Sequence, residues 1–420
     1  MTVTVPVTNA LQFFRLEGPS SVPIFQFAIF YTVDLEIAPS APKTVTGRVH
    51  CNSNLYATPN GTSLAFQSPV TAANMIYETQ SPLDPTVRSP GTVIYQAGRR
   101  SGVSLMTLPI GTNSDPNAVY EILKPPPVAG DTDPALGAQR YYNKADIIIR
   151  VTDNGVTATS GSTNLFATPV ILPVGTVTSH TNKFYNGREL KGVNVIDIDL
   201  STLKAWADSS TGAAASMWTL YGREPNSCYV LDQRTVPAGT EPGVRLNNGA
   251  QLPNGGLTLA TPDPLYVHGD FNTKDSTGTS SGSDTAHTKP SSLVADAITI
   301  LSVNWSDAAN ATSSQGNFKN ASSTTVNAAF LAGIVQTTTN SYSGGVENFP
   351  RFLEDWSGDT LTYNGSMVVL FYSQIATGPL KGTNIYYTPP IRNWAFDNNF
   401  MRQIKVPPAT PPVGVIASSN

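Results

Sequence analysis

Among the side chains able to do chemistry, five carboxylates come first: Asp270, Asp296, Glu354, Asp355 and Asp359. A polysaccharide-cleaving enzyme needs two or three acids on adjacent strands, one to protonate a leaving group and one to activate water. Asp270, however, follows a glycine in a turn sequence, and Glu354 and Asp355 fall on the polar face of a predicted short helix. Turn formation and solvation account for them better than acid–base work does. Asp296 lies inside the apolar run LVADAITILS, so if it faces inward it must be hydrogen-bonded.

The four histidines, His50, His180, His268 and His287, are scattered. His50 adjoins Cys51, but neighbours on a strand point to opposite faces, which argues against shared metal ligation. Asp197 and Asp199 in VIDIDL do share a face and could hold Ca²⁺. Alternating Asp with Val and Ile is equally what a half-exposed strand writes, and that reading is preferred. No G-x-S-x-G nucleophile turn stands out, and the glycine-rich SYSGGVENF (341–349) reads as a connector more than as an anion cradle. No catalytic, cofactor-binding or metal-ligating residue is therefore assigned, and no cofactor is implied. The only two cysteines, Cys51 and Cys228, are too few for a disulfide framework and lack CxxC spacing.

The elements that hold these residues follow from composition and punctuation. Only 13% of the 420 residues are charged, while glycine and proline each number 33, a balance that favours turns and strands over helices. The net charge of −4, without a Lys/Arg cluster, excludes the footprint of a nucleic-acid binder. No apolar run approaches the length of a membrane span; the longest, IFQFAIFY (24–31), is too short. The wealth of Ser, Thr and Asn with little Lys and Glu leans towards an exported protein, with any export segment lying outside this sequence.

The recurring grammar is a short apolar run cut by Pro, Gly, Asp or Asn, as in GGLTLATPDPLYVHGDFN (255–272). One such unit cannot bury its own apolar face, whereas a stack of them shares a core. The expected fold is mainly β, an irregular right-handed β-solenoid with short covering helices and an inserted mixed segment. Its divisions are an N-terminal segment and cap (1–43), first coils (44–78), an inserted mixed α/β and loop-rich segment (79–243), main coils (244–400) and a disordered tail (401–420). The segments before Thr44 and after Tyr372 are the expected caps of the open strand edges. Ala295, Ala297, Ala328 and Ala332 suit a narrow interior, and Asn and Asp at corners tolerate left-handed backbone. Two covering helices are predicted: one after VNVIDIDL, with Ser201 as cap and Leu200, Leu203 and Trp206 inward, and one over NFPRFLEDWSG (348–358). Residues 273–289, TKDSTGTSSGSDTAHTK, read as an exposed mobile loop.

The stretches FQFAIFYTVDLEI, TVTGRVHCNSNLY, QRYYNKADIII, GLTLATPDPLYVHGDFN, LVADAITILS and YNGSMVVLFYS together resemble bacterial PilX-like proteins associated with type IV pilus assembly. The resemblance runs from about Phe25 to about Phe400. It implies a cell-surface or periplasmic structural role with no catalytic residues to carry over. The prepilin-like helix with which family members begin is absent from this sequence, as is their apolar and basic close. The resulting expectation is a non-enzymatic, exported bacterial structural protein that contacts pilus or cell-envelope proteins or surface glycans, has no nucleic-acid partner and is open to self-assembly. The rival expectation is a carbohydrate-binding adhesin or polysaccharide-cleaving β-helix, with Trp305, Tyr342, Tyr386, Tyr387 and Trp394 stacking on sugar rings if they line one groove.

Overall fold

The structure, a computed structural model, describes residues 21–110, 115–161, 168–209, 211, 215–281, 284–311, 318–381 and 385–415. These residues are mainly β, as the composition requires. In the N-terminal part the chain runs through three short strands, Ile29–Tyr31, Leu35–Ile37 and Lys43–Val45, each belonging to a different sheet. It then returns to the first sheet and repeats the circuit. Ile29 lies beside Val49 and Val49 beside Val70, all parallel, an advance of about twenty residues per circuit. Leu35, Leu55 and Ile76 stack in the same way on the second sheet.

From Ser227 onward the alternation is between two parallel sheets. Ser227–Asp232, Leu257–Ala260, Ser291–Ala295, Thr324–Ala332 and Thr360–Val369 fall on one. Thr240–Asn247, Leu265–His268, Ile298–Leu301 and Pro350–Phe352 fall on the other. The interruption in LTLATPDPLYVHG is thus a corner: Leu257–Ala260 and Leu265–His268 belong to different sheets.

The two parts of the chain share the largest sheet, because Ile29–Tyr31 pairs in parallel with Thr360–Val369. One apolar ladder therefore crosses both: Ile147, Cys228, Leu259, Leu293, Phe330, Met367, Ile29, Val49 and Val70, each paired with the next. Every member is at most 5% exposed, so identical register at each step yields one continuous dry seam. Ala295, Ala297, Ala328 and Ala332 are buried, as the narrow-interior argument requires. A buried polar ladder runs alongside. Asn272 and Asn327 exchange amide-to-carbonyl hydrogen bonds of 2.9 and 3.0 Å, and Asn364 donates to Asn327 Oδ1 at 2.8 Å. Asn272 itself is left-handed at φ 56°.

Several expectations are corrected. Segment 1–43 is not a cap from residue 21 on: Ile29–Tyr31 is an interior strand between Val49–Cys51 and Thr360–Val369. Residues 1–20 lie outside the described residues. The stretch after Tyr372 is not an end cap either, since Ile391–Phe396 pairs alongside Thr360–Gly365. Segment 79–243 is not simply an insertion, because Ile147–Thr152 and Ser227–Asp232 begin the sheet that 244–400 continues. The tail is ordered up to 415: Pro412–Val415 lies between Ser21–Pro23 and Met106–Thr107, and Val413 is fully buried. Residues 416–420 lie outside the described residues.

The helix at Leu200–Ala207 is present with Leu200, Leu203 and Trp206 buried, but its cap is Asp199, whose carboxylate accepts from the Thr202 amide at 2.8 Å. Ser201 is inside the first turn. No helix forms over 348–358. Pro350–Phe352 is instead the last strand of its sheet, where the missing proline N–H costs no ladder bond. Phe349, Phe352, Leu353 and Trp356 are all buried, so their spacing reflects a strand and corner wrapped by neighbours on more than one side. The 273–289 loop is exposed for much of its length but pinned, with Thr273, Ser281 and Thr288 buried and Thr285 bonded to Asp397 at 2.8 Å.

Gly365 tests the stacking directly. A Cβ there would sit 1.9 Å from the Ala328 carbonyl oxygen of the neighbouring strand. Gly365→Ala should destabilise the protein by about 1–3 kcal/mol, whereas Gly414→Ala, which meets nothing within 4 Å, should stay within about 0.5 kcal/mol; urea denaturation midpoints compare the two.

Candidate functional site

The candidate site is a cleft of about 320 Å³ where the two parts of the chain meet. Its floor comes from the VDLEI strand. Leu35 and Ile37 are fully buried, so alternation turns Asp34 and Glu36 to the other face. Tyr56, paired with Glu36 on the next strand, joins them, and its ring stacks on Tyr77 at 5.2 Å. Ser81 and Leu83 of the loop before Arg88 form one wall; Ile334, Thr337, Ser343 and Tyr372 form the other.

A buried network fixes these walls. The Tyr342 hydroxyl donates to Glu36 Oε1 at 2.5 Å. Arg88 donates to the Tyr342 oxygen at 3.1 Å and reaches Glu36 at 3.4 Å, and it also pairs with Asp84. Burial pushes the Glu36 carboxyl up to about 8, with Tyr342 and Arg88 opposing and Asp84 reinforcing, so Glu36 is largely protonated at neutral pH. Asp84 goes the other way. Burial would raise it, but the Thr86 amide, Glu36 and Arg88 together hold it below the usual carboxylate range. A neutral acid and an anion are thus hydrogen-bonded to each other, and their remaining contacts are to Tyr342, Arg88 and the Thr86 amide. The network clamps the cleft wall.

The residues singled out from the sequence lie elsewhere and do not converge. Asp296 is fully buried, and its carboxylate accepts the amides of Gln374, Ile375 and Ala376 at 2.6, 3.2 and 2.7 Å, the satisfaction its inward position demands. Asp270 accepts the Thr325 amide at 2.8 Å and is exposed, as a turn residue should be. Glu354 does not sit on a solvated helix face. It is 1% exposed and holds the amide and hydroxyl of Ser302, both at 2.7 Å. Asp355 and Asp359 bond to Thr388 and Ser323.

Asp197 binds Arg245 at 2.6 Å, with Asp307 completing the pair on the same guanidinium at 2.5 Å. His50 spans Thr71 and Asn52, both at 2.8 Å, His268 bonds Asn247 at 2.8 Å, and His180 and His287 approach Asp197 and Asp275. Among the described residues no group of three His, Cys, Asp or Glu is placed to hold a metal ion. The five aromatics line no common groove: Trp305 packs on Phe184, Tyr386 and Tyr387 on each other, and Trp394 under Lys43. Only Tyr342 reaches the cleft network.

Asp34, Glu36, Asp84 and Arg88 were not singled out by the sequence. The alternation of VDLEI was the available signal for Asp34 and Glu36, but nothing in the sequence links Glu36 to Tyr342, 306 residues away. Among the described residues no helix is long and apolar enough to cross a membrane. Set against family models, curated proteins and solved structures, the chain matches none.

Two measurements follow from this chemistry. Burial raises Glu36 and Asp263 to about 8 and Glu241 and Glu354 to about 7. In the unfolded chain these acids titrate near 4, so the folded state binds their protons more tightly. Their contribution is complete below that value and is lost as pH rises through 7 to 8. Thermal midpoints should therefore fall between pH 5 and 9, and Glu241→Gln should flatten the fall. Cys51 and Cys228, both buried with burial pushing their thiols up to about 12, should resist a thiol reagent in the native protein and both react after denaturation.

Proposed function

We propose that this chain is a non-enzymatic structural protein, exported by a bacterium and associated with its surface, in a role linked to type IV pilus assembly. Its body, in this reading, is an irregular right-handed β-solenoid. The observation that carries it is the apolar ladder from Ile147 to Val70, in which buried residues of successive strands pair in parallel, each with the next. Such a stack supplies length, stiffness and side loops, and its stability is the sum of neighbour-to-neighbour contacts.

The fate of the charged groups supports the same reading. Arg351 and Glu189 pair at 2.6 Å while buried, and Asp296 and Glu354 spend their oxygens on backbone amides and on Ser302. These are fastenings between layers. The edge strand Arg99–Arg100 of the largest sheet is the place for end-to-end self-assembly, since residues 168–170 already bond to Ala158 and Ser160 at the opposite edge, and the loops offer contacts for cell-envelope proteins. The resemblance to PilX-like proteins supplies the location.

In the bacterium that makes the protein, antibody raised against the folded chain should label intact cells, and deleting the gene should reduce surface piliation. A cytoplasmic location with normal piliation would overturn the proposal.

A further inference from the structure

We propose that the cleft between the two parts of the chain binds a small hydroxylated molecule without negative charge, of the size of one sugar ring, with a hexosamine as the best fit. The inference stands apart from the scaffold role, since a surface scaffold needs no small-molecule site.

Size sets the first limit. At about 320 Å³ the cleft lies at the lower end of the roughly 300–1,000 Å³ typical of small-molecule pockets, so it takes one ring rather than a chain. Charge sets the second. Asp34 and Glu36 contribute to the lining and no lysine or arginine does. Among the described residues two guanidiniums bond to lining residues from behind: Arg88 is engaged by Glu36, Asp84 and Tyr342, and the buried Arg188 by the Ser343 and Gly378 carbonyls. A carboxylated or phosphorylated ligand would meet the Asp34 carboxylate with no cation among the described lining residues to offset it, while a neutral or ammonium-bearing one would not.

The third limit is the kind of surface. Ser53, Ser81, Thr337 and Ser343 share the lining with apolar Leu83 and Ile334, and this mixture matches a pyranose, which shows O–H groups at its edge and C–H groups on its faces. Asp34 is the anchor. Its Oδ1 accepts from the Ser53 hydroxyl at 2.5 Å and from the Asn54 amide at 3.0 Å and side chain at 3.3 Å. Among the described residues these bonds all fall on Oδ1, which leaves Oδ2 to accept from a ligand ammonium or hydroxyl. The Tyr342–Glu36–Arg88 clamp holds the walls before any ligand arrives, so little ordering cost remains to be met on binding.

Saturation-transfer NMR on the intact chain with glucosamine, N-acetylglucosamine and glucuronic acid as probes tests this. Saturation should pass to both amino sugars, more strongly to glucosamine, and not to glucuronic acid. Asp34→Asn keeps the acceptor for Asn54 but removes the charge, and it should weaken glucosamine about five- to tenfold while changing N-acetylglucosamine little. Leu83, 40% exposed on the wall, can become Trp without overfilling a core; Leu83→Trp should abolish binding of both with an unchanged circular dichroism spectrum. No transfer to either amino sugar, equal transfer to glucuronic acid, transfer that survives Leu83→Trp, or indifference of glucosamine to Asp34→Asn would each overturn the assignment. None of these results bears on where the protein resides, so this inference and the scaffold role fail separately.

Discussion

The pairing of Ile29–Tyr31 with Thr360–Val369 is the contact on which the rest of the structure depends. It joins strands more than 330 positions apart through only three residue pairs, so backbone bonding alone is thin. Side chains and flanking backbone thicken it: Ser366 Oγ donates to the Phe27 carbonyl at 2.6 Å, the Met367 amide to Ala28 at 2.9 Å and the Thr32 amide to Val369 at 2.9 Å. Around it, the Phe396 amide donates to Thr46 Oγ1 at 3.0 Å, and Lys43 lies 4.1 Å from the centre of the Trp394 ring. Closing so long a loop costs only logarithmically more than closing a shorter one, so the join is thermodynamically accessible, though contacts of this separation form slowly. The Pro412–Val415 strand adds to it by tying the end of the chain to Ser21–Pro23.

That join also explains why polar groups can be buried so freely. A circuit of short strands has many corners, and each corner leaves amides and carbonyls without a ladder partner. Carboxylates from other circuits fill those vacancies: Asp296 takes three amides of the 374–376 turn, and Glu189 accepts the Gly378 amide at 2.7 Å while pairing with Arg351. The buried asparagines Asn272, Asn327 and Asn364 do the same between layers. Such groups are expensive if left unpaired and specific once paired, so they fix which circuit lies on which. The cleft is a by-product of the same arrangement, lying where surfaces from residues 31–83 and 334–372 meet.

Much of this was legible in the residues themselves, and the failures have a common cause. Short runs punctuated by Pro, Gly and Asn gave strands and corners at Leu257–Ala260 and Leu265–His268, and inward alanines fell where a narrow interior needs them. The helix over 348–358 failed because Phe349, Phe352, Leu353 and Trp356 are covered by neighbours from several circuits, and a periodicity rule assumes a single buried face. The N-terminal cap and the disordered tail are overturned because position along the chain does not fix position in the structure: Ile29–Tyr31 lies inside the largest sheet and Pro412–Val415 between two strands. The cleft is half visible: alternation in VDLEI sets Asp34 and Glu36 on one face, but Tyr342 and Arg88 reach Glu36 only through the fold.

What the sequence determined by itself was local: extended backbone, the placing of turns, and which face of each strand is apolar, because these depend on residues a few positions apart. Which strand lies beside which, that Ile29 follows Met367 in the ladder, and that Glu36 keeps its proton are decisions of the tertiary structure. They depend on burial and on partners hundreds of residues distant, and water exclusion exists only once the layers have closed on one another.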